Sequence, residues 1–225
     1  ELTKKQTVYG FLIIILISLL CHLPYFSIDL QGHHAWRITQ TGWNIRNFVR
    51  YDFNIFHPRV SHFNSQFEEN LYLFEFPLMQ WLIAGVQRIT GESIWILRGC
   101  MFIISTWGIM GMLRLATFTF RRTIWSLLTT FAFAFGPVYY YYMINPLPDV
   151  FALASGIWFI YFALEYYVNN KRLSIFTAAI CLAITVLSKL PYIIFTIIPI
   201  YYFFTEQLQA KKVLTKQILA AAILL

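Results

Sequence analysis

The sequence predicts an all-α fold of the polytopic membrane class, with a large first extracytoplasmic loop that carries interfacial helices. Hydrophobic residues make up 59% of the 225 residues and charged residues only 12%. Soluble domains are about 45–50% apolar and about 25% charged, so this composition suits lipid rather than water. Several apolar runs also approach the ~20 residues that a spanning helix needs.

The net charge of +7 does not indicate a nucleic-acid partner. The lysines lie almost entirely in short segments between apolar runs, which is the distribution of cytoplasmic loops in membrane proteins. The cysteines lie inside apolar runs, where they behave as small buried hydrophobic residues rather than as a disulfide or metal set. They are Cys21, Cys100 and Cys181.

The apolar runs predict the order of the membrane spans. The chain begins without Met and stops inside an apolar run, so we interpret it as the N-terminal part of a longer protein. The first span is followed by an outer loop at 27–93, which holds six of the ten acidic residues. We predict spans at about residues 8–26, 94–118, 124–144, 150–168, 173–187 and 191–204, and an incomplete span at 218–225.

The run Phe76–Ile89 decides the topology. It is apolar but short for a span, and Gln80, Gln87 and Arg88 give it a polar stripe. If it crossed the membrane, the later basic clusters would lie opposite Lys4 and Lys5. If it lies in the outer interface, every cluster falls on the cytoplasmic side, as the charge rule requires. We therefore predict an interfacial helix, a cytoplasmic N-terminus and an extracytoplasmic outer loop.

The outer loop is also predicted to contain a helix at Ala35–Arg50. Ile38, Ile45 and Val49 share one face of this segment, and polar residues line the opposite face. Such a pattern is typical of a helix that lies on the membrane surface. The polar residues are Arg37, Gln40, Asn44 and Asn47.

This topology gathers ionisable side chains at the outer face. Carboxylates beside Arg and Lys suit a base that deprotonates an acceptor, with cations that stabilise an anionic leaving group. Ionisable residues near a bilayer are costly, so they are functional candidates. The candidates are Asp29, His33, His34, Arg37, Glu68, Glu69, Glu75, Arg98, Asp149 and Lys189.

Each candidate also has a structural interpretation. The two adjacent histidines are interfacial loop residues or metal ligands, and a divalent metal is left open. The Glu68-Glu69 pair suits a solvated turn, while Arg98 suits a side chain that snorkels to the interface. Arg37 suits an anchor to lipid phosphate, and Glu75 a partner of a helix N-terminus. Asp29 directly follows the first span, where an acid has no obvious structural use, so it is the first candidate.

The motifs in this outer region resemble those of the C-type glycosyltransferase superfamily, and more narrowly the dolichyl-phosphate-mannose protein mannosyltransferase and aminoarabinose transferase group. The resemblance covers nearly all of the chain but only the N-terminal part of such enzymes. It is carried by segments 34–41 (HAWRITQT), 45–48 (IRNF), 54–58 (NIFHP), 75–81 (EFPLMQW), 147–149 (LPD) and 188–191 (SKLP).

The resemblance implies transfer of a sugar from a polyprenyl-phosphate donor to a lipid, glycan or protein acceptor, usually with inversion. It implies that Asp29 is the base, with Glu75 as the second choice. Arg37, Arg98 and Lys189 would contact the lipid phosphate. The predicted substrate- and phosphate-binding set also includes His33, His34, Gln40 and Asp149. Many relatives carry an acid inside the segment equivalent to 36–41, where this sequence has Gln40.

Two other classes of protein stay open at this point. A transporter or lipid flippase would carry polar or broken-helix positions near mid-membrane, often with internal repeats. The predicted span centres are nearly free of charge and no repeat is visible, which favours the enzyme. A non-catalytic membrane subunit of the same fold is the third reading. We expect an integral protein of the bacterial inner (plasma) membrane, in contact with membrane lipids.

Overall fold

A computed structural model describes residues 4–59 and 75–209 of the chain, and these residues form nine α-helices. Short 3-10 segments at Leu23–Tyr25 and Leu190–Thr196 interrupt them. The helices are α1 (Lys4–His22), α2 (Ala35–Arg50), α3 (Leu78–Thr90), α4 (Ile94–Phe120), α5 (Thr123–Ala134), α6 (Pro137–Tyr142), α7 (Pro148–Asn169), α8 (Arg172–Ser188) and α9 (Ile197–Gln209).

The chain is an all-α polytopic membrane protein, as its composition predicts. Within the described ranges, three segments are long and apolar enough to cross a bilayer: Lys5–Tyr25, Ile94–Phe120 and Pro148–Asn169. The outward faces of α1 and α4 carry large apolar side chains, whereas α7 is largely enclosed between α4 and α8. The bundle is therefore built around α7.

The run 124–144 does not form the continuous helix that its hydropathy predicts. It divides into α5 and α6 at Gly136, which is followed by Pro137. A proline inside a helix removes a hydrogen bond and its ring clashes with the preceding turn, whereas proline is well tolerated at the first helical position. Pro137 accordingly begins the new helix instead of continuing the old one.

The run 191–204 also differs from the prediction, because it opens as a 3-10 segment and becomes α-helical only at Ile197. The last predicted span, at 218–225, lies outside the described residues, as do Glu68 and Glu69.

Helices α2 and α3 lie side by side at one end of the bundle. The helix α2 has the predicted bounds, and α3 spans about 20 Å, less than the roughly 30 Å of a hydrocarbon core. Ion pairs from Arg37 to Glu75 and from Arg50 to Glu92 join both ends, so the two helices run parallel. The location of this pair at the membrane surface stays a prediction.

Most of the polar face of α2 is buried within the protein. The Nδ2 atoms of Asn44 and Asn47 both donate to the backbone oxygen of Arg59, at 3.2 and 2.7 Å. Residues after α2 therefore fold back over its polar side. The exposed face of α2 is a third face, distinct from the apolar and polar faces that the sequence pattern shows.

Long-range contacts bring several helix ends together at the end that carries α2 and α3. The guanidinium group of Arg98 in α4 donates to the carbonyl of Ile28 after α1, and to Asn145 Oδ1 before α7. The backbone N–H of Phe76 donates to the carbonyl of Leu187 at the end of α8, at 3.1 Å. We call this end of the bundle the loop end.

Substitution of Gly108 by alanine is expected to destabilise the α4–α7 contact. An added Cβ would lie 2.9 Å from Ala154 Cβ and 2.6 Å from the Tyr139 hydroxyl oxygen. Such overpacking costs about 1–3 kcal/mol. The matched control is Gly99→Ala in the same helix, where no described atom lies within 4 Å of the added Cβ. Thermal unfolding of both variants checks this, and equal stabilities would contradict the packing.

Candidate functional site

Charged side chains from four separate segments converge at the loop end. We call this group the Glu75 centre; it comprises Arg37, Gln40, Glu75, Asp149 and Lys189. Arg37 and Gln40 lie on the first turns of α2, and Asp149 lies in the first turn of α7. Glu75 precedes α3, and Lys189 directly follows α8.

The main-chain hydrogen bond between Phe76 and Leu187 explains why Glu75 lies beside Lys189. It ties the segment before α3 to the last turn of α8. Glu75 adjoins Phe76, whose backbone is held by this bond. The backbone N–H of Lys189 itself donates to the carbonyl of Thr185. The two charged side chains are thus positioned by main-chain contacts and not only by their mutual attraction.

Two ion pairs organise the Glu75 centre. Arg37 Nη2 donates to Glu75 Oε1, and Arg37 Nη1 donates to Gln40 Oε1 at 2.6 Å. Lys189 Nζ donates to Asp149 Oδ2 at 3.1 Å. The Glu75 side chain is only 11% exposed, whereas those of Lys189 and Asp149 are 30% and 39% exposed. The centre therefore has a mostly buried pair and a more accessible one.

Burial raises the pKa of the Glu75 carboxyl above its ordinary value. The positive charges of Arg37 and Lys189 act in the opposite direction, and the negative charge of Asp149 adds to the increase. A carboxylate with a raised pKa is a stronger base than an exposed one, and nearby cations favour its ionised form. This combination is favourable for accepting a proton.

Gln40 provides a hydrogen-bond donor that no described residue uses. Its side chain is buried, its Oε1 accepts from Arg37, and its Nε2 has no hydrogen-bond partner among the residues described. Buried polar groups are nearly always hydrogen-bonded, so an unpartnered one needs an explanation. A bound polar molecule would satisfy this N–H group.

An apolar groove of about 450 Å³ borders the Glu75 centre. Glu75 lies in its wall, next to side chains from the segment after α2 and from the end of α8. The groove therefore joins a charged centre to a surface suited to a hydrocarbon chain. Its apolar lining includes Phe56, Pro58, Phe76, Leu187 and Leu190.

Asp29 and Arg98 lie in a different part of the loop end. Both line a cleft of about 410 Å³ between α1, α4 and α6. The Asp29 side chain is exposed, and no hydrogen bond or ion pair from the described residues reaches its carboxylate. Arg98 is buried, and its donors are directed at Asn145 and at backbone oxygens, including those of Ile28 and Asp29. These contacts favour a structural role for Arg98, and its predicted contact with phosphate stays untested.

The two adjacent histidines lie at the turn that begins α2. Both are exposed, and their ring centroids are 5.7 Å apart. His34 has a left-handed backbone with a φ of 58°, and the Tyr141 hydroxyl donates to the His33 carbonyl. Within residues 4–59 and 75–209, no group of three or more His, Cys, Asp or Glu side chains could hold a metal ion.

A further polar group was not identified from the sequence. Trp43, Arg46 and Arg50 lie on the exposed face of α2, and both arginines pair with Glu92 before α4. The signal was present, since residues 43, 46 and 50 recur at helical spacing. A division of α2 into one apolar and one polar face does not separate this third face from the other two.

A match to a known protein family identifies the family of this chain. A family model described as dolichyl-phosphate-mannose-protein mannosyltransferase matches residues 75–225, which is more than half of the chain. The chain belongs to this mannosyltransferase family. No curated protein and no solved structure matches the chain. The resemblance noted from the sequence motifs is thereby confirmed at the level of the family.

The mannosyltransferase family match begins at Glu75 and includes Asp149 and Lys189. Asp29, the first candidate for the base, precedes the matched region, as do Arg37 and Gln40. Family membership supports a glycosyltransferase-type function with a polyprenyl-phosphate sugar donor. The roles of individual residues stay predictions.

Proposed function

We propose that the protein transfers a sugar from a polyprenyl-phosphate donor to a hydroxyl group of a lipid, glycan or protein acceptor, at the Glu75 centre on the extracytoplasmic face. One observation carries this proposal. A partly buried carboxylate lies among two cations at the edge of an apolar groove. The carboxylate suits the acceptor, the cations suit a phosphate, and the groove suits a lipid.

In the proposed reaction, the Glu75 carboxylate accepts the proton of the acceptor hydroxyl. The acceptor oxygen then attacks the anomeric carbon of the sugar, and the bond between that carbon and the phosphate oxygen breaks. The bonding electrons leave with the polyprenyl phosphate, so the reaction is a single displacement with inversion. Arg37 and Lys189 stabilise the negative charge that develops on the phosphate.

The contacts favour Glu75 over Asp29 as the base. Glu75 is mostly buried beside two cations, whereas Asp29 is exposed and lies near an arginine whose donors are already directed at other groups. A base and a phosphate site need to be close together, because both reacting groups belong to one transition state. Glu75 meets this requirement with Arg37 and Lys189.

Gln40 has a specific part in the proposal. Its Nε2 group is a buried donor without a partner among the residues described, and its Oε1 is fixed by Arg37. We assign it to a hydrogen bond with a phosphate or sugar oxygen. The acid expected at this position in many relatives is therefore replaced by a neutral donor, and Glu75 is left as the base.

Incubation of the full-length protein with a panel of polyprenyl-phosphate sugars tests the proposed function. We expect one sugar donor to release free polyprenyl phosphate in the presence of an acceptor, as measured by chromatography of the lipid products. Uptake of a labelled lipid across sealed vesicles, without any cleavage, would instead indicate a transporter. Absence of both activities with every donor would contradict the proposal in favour of a non-catalytic subunit.

A further inference from the structure

A further cleft, with a polar lining, lies on the side of α2 that faces away from the Glu75 centre. Its volume is about 620 Å³. The α2 residues that line it recur three or four positions apart, so they share one face of the helix. A helix with its side chains is about 10 Å across, which separates this cleft from Glu75. Its polar and aromatic lining includes Asp29, Thr39, Trp43, Arg46, Arg50 and Glu92.

Contacts within the protein hold four of these side chains in place: Trp43, Arg46, Arg50 and Glu92. Arg50 pairs with both carboxylate oxygens of Glu92, at 2.6 and 2.8 Å, and Arg46 lies 3.6 Å from the same carboxylate. The guanidinium group of Arg46 also lies over the indole ring of Trp43, 5.4 Å from its centroid. Groups that are already positioned lose less conformational entropy when a ligand binds.

The charges that line the cleft balance. Two carboxylates, from Asp29 and Glu92, accompany two guanidinium groups, from Arg46 and Arg50. An anionic ligand therefore meets no excess of positive charge, in contrast to a typical phosphate site. The balance favours a neutral ligand that both donates and accepts hydrogen bonds.

The Trp43 side chain adds an apolar surface to this polar lining. It is 40% exposed, so a ligand can reach part of the indole. A saccharide presents hydroxyl groups that both donate and accept, and one flat face of C–H groups that packs on an aromatic ring. Few other neutral ligands combine these two properties, and the carboxylates, guanidinium groups and Thr39 hydroxyl match the hydroxyl groups.

We propose that this cleft binds a neutral saccharide unit of the acceptor, apart from the hydroxyl that reacts at Glu75. The inference rests on the proposed glycosyl transfer, because it names the acceptor as a glycan. Binding of a remote, non-reacting part of a substrate contributes to catalysis by positioning the reacting part. The bound unit packs on Trp43 and accepts hydrogen bonds from Arg46.

The binding test uses the full-length protein in phosphatidylcholine nanodiscs, so that no detergent with a sugar head group competes. Methyl mannoside, methyl glucoside, methyl galactoside and N-acetylglucosamine are titrated, and binding is followed by saturation-transfer NMR. We expect at least one to bind saturably, and Trp43→Ala to weaken that binding about tenfold or more, since aromatic stacking is worth about that much. Trp36→Ala, in the same helix but outside the cleft, is the control and retains the affinity.

Two outcomes would overturn the inference. The first is that no saccharide in the panel binds in a way that depends on Trp43. The second is that nanodiscs with phosphatidylglycerol show Trp43-dependent binding of this lipid and no saccharide binding, which would make the cleft a lipid site.

Kinetics separate this inference from the proposed function. Trp43→Ala is expected to raise the KM for a glycan acceptor about tenfold and to leave the KM for the donor unchanged, because the cleft and the donor site lie on different sides of α2. Glu75→Gln should bind the saccharide normally while the rate of sugar transfer falls by about 10²-fold or more. If sugar transfer depends on Glu75, but saccharide binding and the KM for the acceptor are unchanged in Trp43→Ala, then only the cleft proposal is wrong.

Discussion

The variant Glu75→Gln should lower the rate of sugar transfer by about 10²- to 10⁴-fold, the usual contribution of a general base. Glutamine keeps the size of the side chain and can still accept from Arg37, but it cannot take the proton of an acceptor hydroxyl. The loss should therefore appear in kcat more than in the KM for the donor. Steady-state release of polyprenyl phosphate measures both.

The matched control is Asp29→Asn, which makes the same change in the other candidate base. We expect this variant to keep the kcat of the unmodified protein, because the Asp29 carboxylate is exposed and lies outside the Glu75 centre. Any loss should appear in the KM for a glycan acceptor, since Asp29 also lines the cleft beside Trp43. A severe loss in Asp29→Asn together with a mild loss in Glu75→Gln would reverse the assignment. Thermal unfolding of both variants excludes a loss of folding as the cause.

Replacement of Arg98 by alanine should lower the free energy of unfolding on the order of 3 kcal/mol. Its guanidinium group satisfies the carbonyls of Ile28 and Asp29 and the amide oxygen of Asn145. Removal leaves these acceptors without their donor and releases the segment after α1 from the start of α7. The change is measured by denaturing the protein in nanodiscs and monitoring unfolding through its intrinsic fluorescence.

The control for Arg98 is Arg122→Ala, an exposed arginine between α4 and α5 that lies outside the apolar span of α4. We expect it to change stability by less than about 0.5 kcal/mol, as surface substitutions usually do. If Arg98→Ala unfolds like the control but loses binding of the sugar donor, then Arg98 contacts phosphate and its structural assignment is wrong.

Local patterns were sufficient to predict most of the helices. The bounds of α2 follow from its periodicity, and the long apolar runs at α4 and α7 need no knowledge of the rest of the fold. Two features of the fold were not predicted from these patterns. Hydropathy does not register the proline that divides 124–144, and it does not show that the segment ending at Arg59 covers the polar face of α2.

All five residues of the Glu75 centre were site candidates in the sequence, but the sequence did not predict that they group together. The topology predicted from the sequence assigns Glu75, Asp149 and Lys189 to one face of the membrane. The hydrogen bond between Phe76 and Leu187 then decides that Glu75 lies next to Lys189 and not next to Arg98. Such a contact joins residues far apart in the chain and leaves no periodic signal. The sequence therefore favoured Asp29, whose position after the first span was its only distinction.

The pH dependence of single-turnover sugar transfer tests the central claim most directly. The base must be deprotonated to act, so the rate should rise with pH and be lost as pH falls through the pKa of Glu75. Because burial raises that pKa, the midpoint should lie above the ordinary value of 4.5. The account predicts that this acidic limb is present in the unmodified protein and in Asp29→Asn, and absent from the residual activity of Glu75→Gln. An unchanged limb in Glu75→Gln, or its loss in Asp29→Asn, would contradict the account.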